Sequence, residues 1–332
     1  MASVTAASAP APAPWLARHP WAGFVARRLG RLAVSLLILV SASFAMIHLV
    51  PGDPVRAALG LTAPADLVEA RRHSLGLDRP IWQQYARYLK GLAAGDLGRS
   101  TGSDLPVAQV IGDRLPETAK LAVLAFGVVM LVSVPLGVGM AVLTQGGRRR
   151  GAELGFTATT GVLAVIPEFL LAVGLVVVFA VGLELLPVAG RAGPGSYVLP
   201  VLALAAGPTA ALARIVRVEA LTVLATDYLR TARAKRLPPH LLYLRHALPN
   251  LLTSALTIGG LLLTGLIAGS VLVETVFAWP GLGATIVQSI LAKDYPLVQG
   301  IVLVYGTAVL LVNLLVDIVL GILDPRSTIR ES

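Results

Sequence analysis

The sequence predicts an all-α integral membrane protein of about six transmembrane helices, and three observations predict it. Hydrophobic residues make up 56% of the 332 positions and charged residues only 14%, about half the charged share of an ordinary soluble domain. Apolar stretches of roughly 20 residues or more recur, each long enough to cross about 30 Å of hydrocarbon. The basic residues gather beside these stretches. The net charge of +9 therefore reads as membrane topology and lipid contact, with no nucleic acid implied.

Residues 1–25 begin with an Ala/Pro-rich run that cannot bury a core, and read as a disordered tail. Arg27, Arg28 and Arg31 precede the apolar run Leu32–Val50. A signal peptide has this outline, but the run is long and its basic start lies far from Met1, so an uncleaved first helix is expected at about 29–50. Pro51-Gly52-Asp53-Pro54 ends it. A polar external segment follows, 51–117. Its Trp82, Tyr85 and Tyr88 recur at three-residue spacing, which suits either an amphipathic helix on the membrane surface or a small packed subdomain. Further spans are expected at about 118–144, 156–184, 197–217, 251–276 and 297–323. All contain Gly, Ala or Pro, which membrane helices use for close packing. The transmembrane domain thus runs 26–326, with a short tail at 327–332.

Orientation follows from the short loops. One side collects Arg27, Arg28 and Arg31, then Arg148, Arg149 and Arg150, the cluster from Arg214 to Arg245, and Arg326 and Arg330. The other has Arg191 and Lys293. The richer side is expected to be cytoplasmic. This makes the chain a multi-pass membrane protein with both termini cytoplasmic, and 218–250 its longest cytoplasmic connection.

Within that connection, Thr226 or Asp227 can cap a helix, Tyr228–Arg236 can form it, and Pro238-Pro239 stops it. Small Ala232 and Ala234 would permit close approach, and Tyr228 offers an aromatic anchor, as suits a helix docking into a partner's groove. A basic loop held to anionic lipid fits the same composition. Here a resemblance becomes specific. Tyr228, Arg230, Thr231, Ala232, Arg233, Ala234, Lys235 and Leu237, followed by Arg245-His246-Ala247, resemble the cytoplasmic EAA loop of bacterial ABC importer permeases of the dipeptide, oligopeptide and nickel branch. That family has Gly where this chain has Arg236, and Pro238-Pro239 are expected to reshape the turn. Pro51-Gly52-Asp53-Pro54, Leu75-Gly76-Leu77-Asp78, Gly95-Asp96-Leu97-Gly98, the run Glu274–Gly283, Asp294-Tyr295-Pro296 and Asp317 with Leu323-Asp324-Pro325-Arg326 are similar to the same branch, in the same order.

The resemblance implies a type I ABC importer permease fold in the bacterial plasma membrane, and an ATPase-coupling surface at Asp227, Tyr228, Arg230, Thr231, Ala232, Arg233, Ala234, Lys235 and Arg236. It also implies partners: a second, related permease completing a heterodimer, one or two ATPase subunits that bind ATP and Mg, and an extracytoplasmic solute-binding protein. The cargo it implies is di- or oligopeptides, with nickel complexes or glutathione-like solutes as alternatives. None of Lys90, Lys120, Lys235 and Lys293 stands in the Gly-x4-Gly-Lys-Ser/Thr pattern that cradles phosphates. No cofactor or ATP is therefore expected on this chain. Cysteine is absent and the five histidines are scattered, so no metal site is expected, and no catalytic constellation is visible. An ion-coupled secondary transporter would also place acids in its spans, but has no use for an ATPase-gripping loop.

Glu168, Glu184, Glu274 and Asp317 lie in or near the spans and should face protein or water. Asp317 and Asn313 share a helix face, and Asp317 reads first as an interhelical contact or cap. Glu168, after Pro167, could line the passage, with a structural pair as the default. Glu274 and Asp294 are expected at the outer ends, shaping a gate or docking surface.

Overall fold

Among the described residues five helices are long and apolar enough to cross a membrane, and one sharply bent pair makes six if it is taken as one span. The computed structural model describes residues 20–49, 54–60, 63–75, 78–191 and 193–323. The expectations for the tails, for Pro51-Gly52-Asp53, for Gly76-Leu77 and for Asp324-Pro325-Arg326 lie outside those residues. Among the described residues the elements are helical, apart from one isolated bridge between Arg99 and Pro106.

Helix α1 (Pro20–Leu49) starts nine residues earlier than expected. Three short helices follow, α2 (Pro54–Leu59), α3 (Ala65–Leu75) and α4 (Ile81–Ala93). Tyr85 and Tyr88 of α4 pack on Phe44 of α1, at ring-centroid distances of 5.1 and 5.6 Å. The Tyr85 hydroxyl meets Ser41 Oγ at 2.7 Å. Of the two readings of this segment, packing on the first span describes these tyrosines, and Trp82 alone of the three stays largely exposed.

Helix α5 (Val107–Thr144) also starts early, eleven residues before the expected 118. Asp113, Arg114 and Glu117 made its first turns read as external. They form helix because Val107 and Ile111 pack with Leu282, Leu297 and Ile301. Pro116 and Pro135 lie inside α5 without ending it.

The third crossing is not one helix. Helix α6 (Arg150–Val165) and helix α7 (Glu168–Leu175), which continues as a π-helical turn to Gly182, meet at 101°. Pro167 explains the break, since it disfavours helical geometry in the residue before it. Ile166 is accordingly extended, at ψ 123°. The expected span 156–184 is therefore corrected to a broken pair.

Helix α8 (Val198–Leu224) crosses beside α5. At Gly137 a Cβ would stand 2.7 Å from the Ala213 carbonyl oxygen, the close backbone approach that small residues permit in membrane helices. Helix α9 (Asp227–Ala234) is short, α10 (Leu248–Val276) returns across, α11 (Leu282–Leu291) is a ten-residue apolar helix, and α12 (Tyr295–Leu323) is the last span. Because α8 stays helical to Leu224, the connection expected at 218–250 is shorter. Helices α5, α8 and α10 hold the largest buried cluster, whereas α1 packs chiefly on α12. Ile38, Leu131 and Val165 are exposed at 64, 77 and 81%, apolar surface suited to lipid or to a second membrane subunit.

Candidate functional site

The molecule has two ends. The basic end carries Arg148–Arg150 and helix α9, and the opposite end carries the segments 98–106, 183–191 and 193–197, and α11 with the turns on either side of it.

At the basic end α9 is amphipathic. Leu229 and Ala232 are buried in a cluster with Ala141, Ala220, Leu242, Ala247 and Leu251. Asp227, Tyr228, Arg230, Thr231, Arg233, Ala234, Lys235 and Arg236 are exposed. Eight of the nine residues singled out for coupling thus share accessible surface, whereas Ala232 faces the chain's own core and holds the helix down. Thr226 precedes the helix without a side-chain cap; its hydroxyl donates to the Val223 carbonyl instead, at 2.6 Å. The Tyr228 hydroxyl accepts from Asn250 Nδ2 at 2.6 Å, joining α9 to the start of α10. Arg236 adopts φ 54°, so the left-handed turn is kept and is not reshaped by the two prolines. Nearby, Arg217 Nη2 donates to Glu153 Oε1 at 2.6 Å and to Thr144 Oγ1 at 3.0 Å, fastening α8 to α6 and α5.

The acids singled out for the passage and its outer end separate. Asp317 pairs with Arg28 Nη1 at 2.6 Å, linking α12 to α1, the interhelical contact expected of it. Its neighbour Asn313 instead accepts from Thr264 of α10 at 3.0 Å. Glu168 is the first residue of α7, where the helix dipole favours a carboxylate. It makes no ion pair among the described residues, and its carboxylate fills the space a side chain at Gly269 would need.

Glu274 and Asp294 are exposed at 0 and 3%, so neither offers a docking surface. Glu274 Oε2 accepts from Gly283 N at 2.6 Å and Ala284 N at 3.1 Å, while Thr118 Oγ1 accepts from Leu282 N at 2.8 Å. Together they cap the N-terminus of α11, where backbone donors lack helical partners. Gly283 is required there, because a Cβ would stand 2.6 Å from the Val271 Cα. Asp294 accepts from the Ser100 hydroxyl, from Thr101 N at 3.0 Å, from Gly102 N at 3.2 Å and from Leu297 N at 3.4 Å. Burial works to raise its pKa, but the hydrogen bonds outweigh burial and hold the carboxyl below the ordinary aspartate value. It pins the 98–106 loop to the start of α12.

One cluster escaped the sequence reading. Glu117 Oε1 accepts from Lys120 Nζ at 2.8 Å and from Arg191 Nη1 at 2.9 Å, and Tyr197 OH lies 3.4 Å from Oε2. Its members are up to 80 positions apart, so no local spacing reveals it. The signal available was Arg191, the sole basic residue of its short loop. Among the described residues no three His, Asp or Glu side chains converge as a metal site.

Comparison with known proteins agrees with this geometry. A family model described as "Binding-protein-dependent transport system inner membrane component" matches residues 133–329, and its N-terminal companion matches 22–122. The chain is 39% identical to "Glutathione transport system permease protein GsiC" of Pectobacterium atrosepticum, covering 91% of this chain and 97% of that one. It is 35% identical to "Dipeptide transport system permease protein DppB" of Escherichia coli K12, covering 91% and 98%. Among solved structures, the MetNI methionine ABC transporter in an inward-facing conformation matches with a TM-score of 0.51 at 20% identity, over 65% of this chain and 97% of that one. That likeness concerns the fold.

Proposed function

Because the chain belongs to the family of binding-protein-dependent transport system inner membrane components, the multi-pass permease subunits of ABC importers, we propose that it forms half of the pore of an importer of di- and oligopeptides. The observation that carries the cargo is near full-length likeness to permeases named for dipeptide and glutathione transport. Glutathione is itself a small peptide, so both names point to one chemistry: a flexible backbone with free termini and varied side chains. Within the spans Asp317 is paired with Arg28, Arg217 with Glu153, and Glu274 caps α11, so these charges are held by the protein itself.

In this reading the basic end is cytoplasmic. The exposed residues of α9 from Asp227 to Arg236 meet an ATPase subunit, and Tyr228–Asn250 passes its movement to α10. A second, related permease completes the pore as a heterodimer. One or two ATPase subunits bind ATP and Mg, and an extracytoplasmic solute-binding protein delivers the cargo to the opposite end. What supports the coupling role is the short amphipathic helix itself: one face anchored in the permease core, the other polar and open. The test is growth of a deletion strain and its parent on di-, tri- and longer peptides and glutathione as sole nitrogen source. Loss of growth on small peptides is expected. Unchanged peptide use with lost uptake of nickel or another solute would overturn the cargo.

A further inference from the structure

At the opposite end, one buried acid is matched by two cations. The Glu117 side chain is 8% exposed, whereas those of Lys120 and Arg191 are 50% and 49% exposed. Both cations reach the same oxygen, Oε1. The acid therefore lies beneath and neutralises one positive charge, and a second positive charge is left facing outward. Arg191, Gly193, Pro194, Tyr197 and Leu124 line an open cleft of about 650 Å³, within the range of small-molecule sites. Lys120 stands one helical turn from Leu124 on the same face of α5.

The support is stiff. Tyr197 packs edge-on against Trp279 at 4.7 Å, Trp279 Nε1 donates to the Glu117 carbonyl at 3.4 Å, and Gly190 N donates to the Phe277 carbonyl at 2.8 Å. The loop that carries Arg191 is thus fastened on both sides, and a preorganised site spends less on ordering when a ligand arrives.

We propose that Arg191 and Lys120 form a binding site for the terminal carboxylate of the incoming peptide. A guanidinium fork matches a carboxylate and holds it more strongly than a neutral donor would. The walls from Leu124, Pro194 and Tyr197 offer apolar surface for the adjoining side chain without specifying it. The inference rests on the peptide reading above and names the part of the cargo that this chain itself recognises.

The chain has no cysteine, so a single introduced thiol reports the cleft. Gly193 has extended backbone, φ 163°, and nothing within 4 Å of an added Cβ, so Gly193→Cys is accommodated. In the assembled transporter, maleimide labelling of this thiol should be slowed by a dipeptide with a free carboxylate and not by its C-terminal amide. Arg191→Gln should weaken that protection about tenfold, the loss of one charge-assisted hydrogen bond. Arg191→Lys should keep part of it. Folding should survive, because Lys120 still neutralises Glu117. Equal protection by acid and amide, no protection by either, or protection unchanged by Arg191→Gln would overturn the proposal. So would slowing that follows the anionic lipid content of the vesicles and not the peptide, which would assign the charge to lipid phosphate. Uptake of peptides in the growth panel without acid-selective protection sinks this site alone; protection without uptake sinks the importer reading and leaves the site.

Discussion

Arg236 follows the last turn of α9 at φ 54°, where a residue with a Cβ is strained by roughly 1–2 kcal/mol. Its N–H donates to the Arg233 carbonyl at 2.9 Å, and Leu237 N reaches the Ala232 carbonyl at 3.4 Å. This is the Schellman pairing that consumes the free carbonyls of a helix end, and Leu237 packs back on the cluster around Ala232. The strain is therefore tolerated for the closure it gives. Arg236→Gly should remove the strain, while the extra freedom of glycine in the unfolded chain offsets roughly 0.4–1 kcal/mol. The expected change is a gain of about 0 to 1.6 kcal/mol, read by thermal unfolding of the purified protein in detergent. A loss above about 1 kcal/mol would mean that the Arg236 side chain makes a contact worth more than the strain. Ala278 and Lys293 end α10 and α11 in the same way, at φ 46° and 58°, with Trp279 N bonded to the Glu274 carbonyl and Asp294 N to the Ser289 carbonyl. None of these three ends carries the glycine by which a sequence announces a left-handed turn; only at Arg236 did the family resemblance point to one, and the turns at Ala278 and Lys293 left no mark in the sequence.

At the scale of the element, α9 shows how far a local pattern can be read. The sequence marks a short polar helix bounded by Thr226 and the two prolines, and the helix Asp227–Ala234 is there. What eight residues could not show was which face is inward, because the inward pair is only Leu229 and Ala232, one turn apart, among charges. The assignment matters for mutagenesis. Ala232→Trp would force an indole into the cluster of Ala141, Ala220 and Leu251, and overpacking costs typically about 1–3 kcal/mol. Lower thermal stability of the isolated permease is expected. Ala234→Trp lies on the exposed face and should leave that stability within about 0.5 kcal/mol, while reducing co-purifying ATPase and ATP hydrolysis stimulated by the loaded binding protein. If Ala234→Trp leaves assembly and stimulated hydrolysis intact, the exposed face of α9 is held to lipid and coupling lies elsewhere. The broken third crossing makes a related point. Pro167 stands in the sequence, but 156–184 is apolar on both sides of Pro167-Glu168 and so reads as one crossing. Hydropathy reports which segments leave water, and only backbone geometry reports that two of them meet at 101°.

At the scale of the whole molecule, the crossing pattern was legible because each span must satisfy its own backbone and so needs a long apolar run. The contacts between crossings were not, since they join residues such as Glu117 and Arg191 that no periodicity relates. Orientation depends on the ends. Helix α5 has 38 residues, about 57 Å at 1.5 Å per residue, nearly twice the hydrocarbon thickness of about 30 Å. At the tilts of up to about 40° that membrane helices adopt, such a helix still outreaches the hydrocarbon, so residues just beyond its two ends stand on opposite sides of the bilayer. Ser103 lies just before the helix and Gly147 just after it, and both are exposed. Gly147 adjoins Arg148–Arg150, and the same end holds Arg230, Arg233, Lys235 and Arg236. The opposite end has Arg191 and Lys293 in its short loops. Basic residues in short loops stay on the cytoplasmic side, so Gly147 should be cytoplasmic and Ser103 external. The natural absence of cysteine makes single-cysteine labelling of intact cells clean. Ser103→Cys should react with a membrane-impermeant maleimide, and Gly147→Cys only after the membrane is opened. Gly147 has φ 76°, so Gln145→Cys, in the preceding turn, serves as a second reporter should the first destabilise the corner. Reaction of Ser103→Cys and either basic-end thiol from the same side would break the crossing pattern, and reaction of the basic-end thiols alone from outside would invert it.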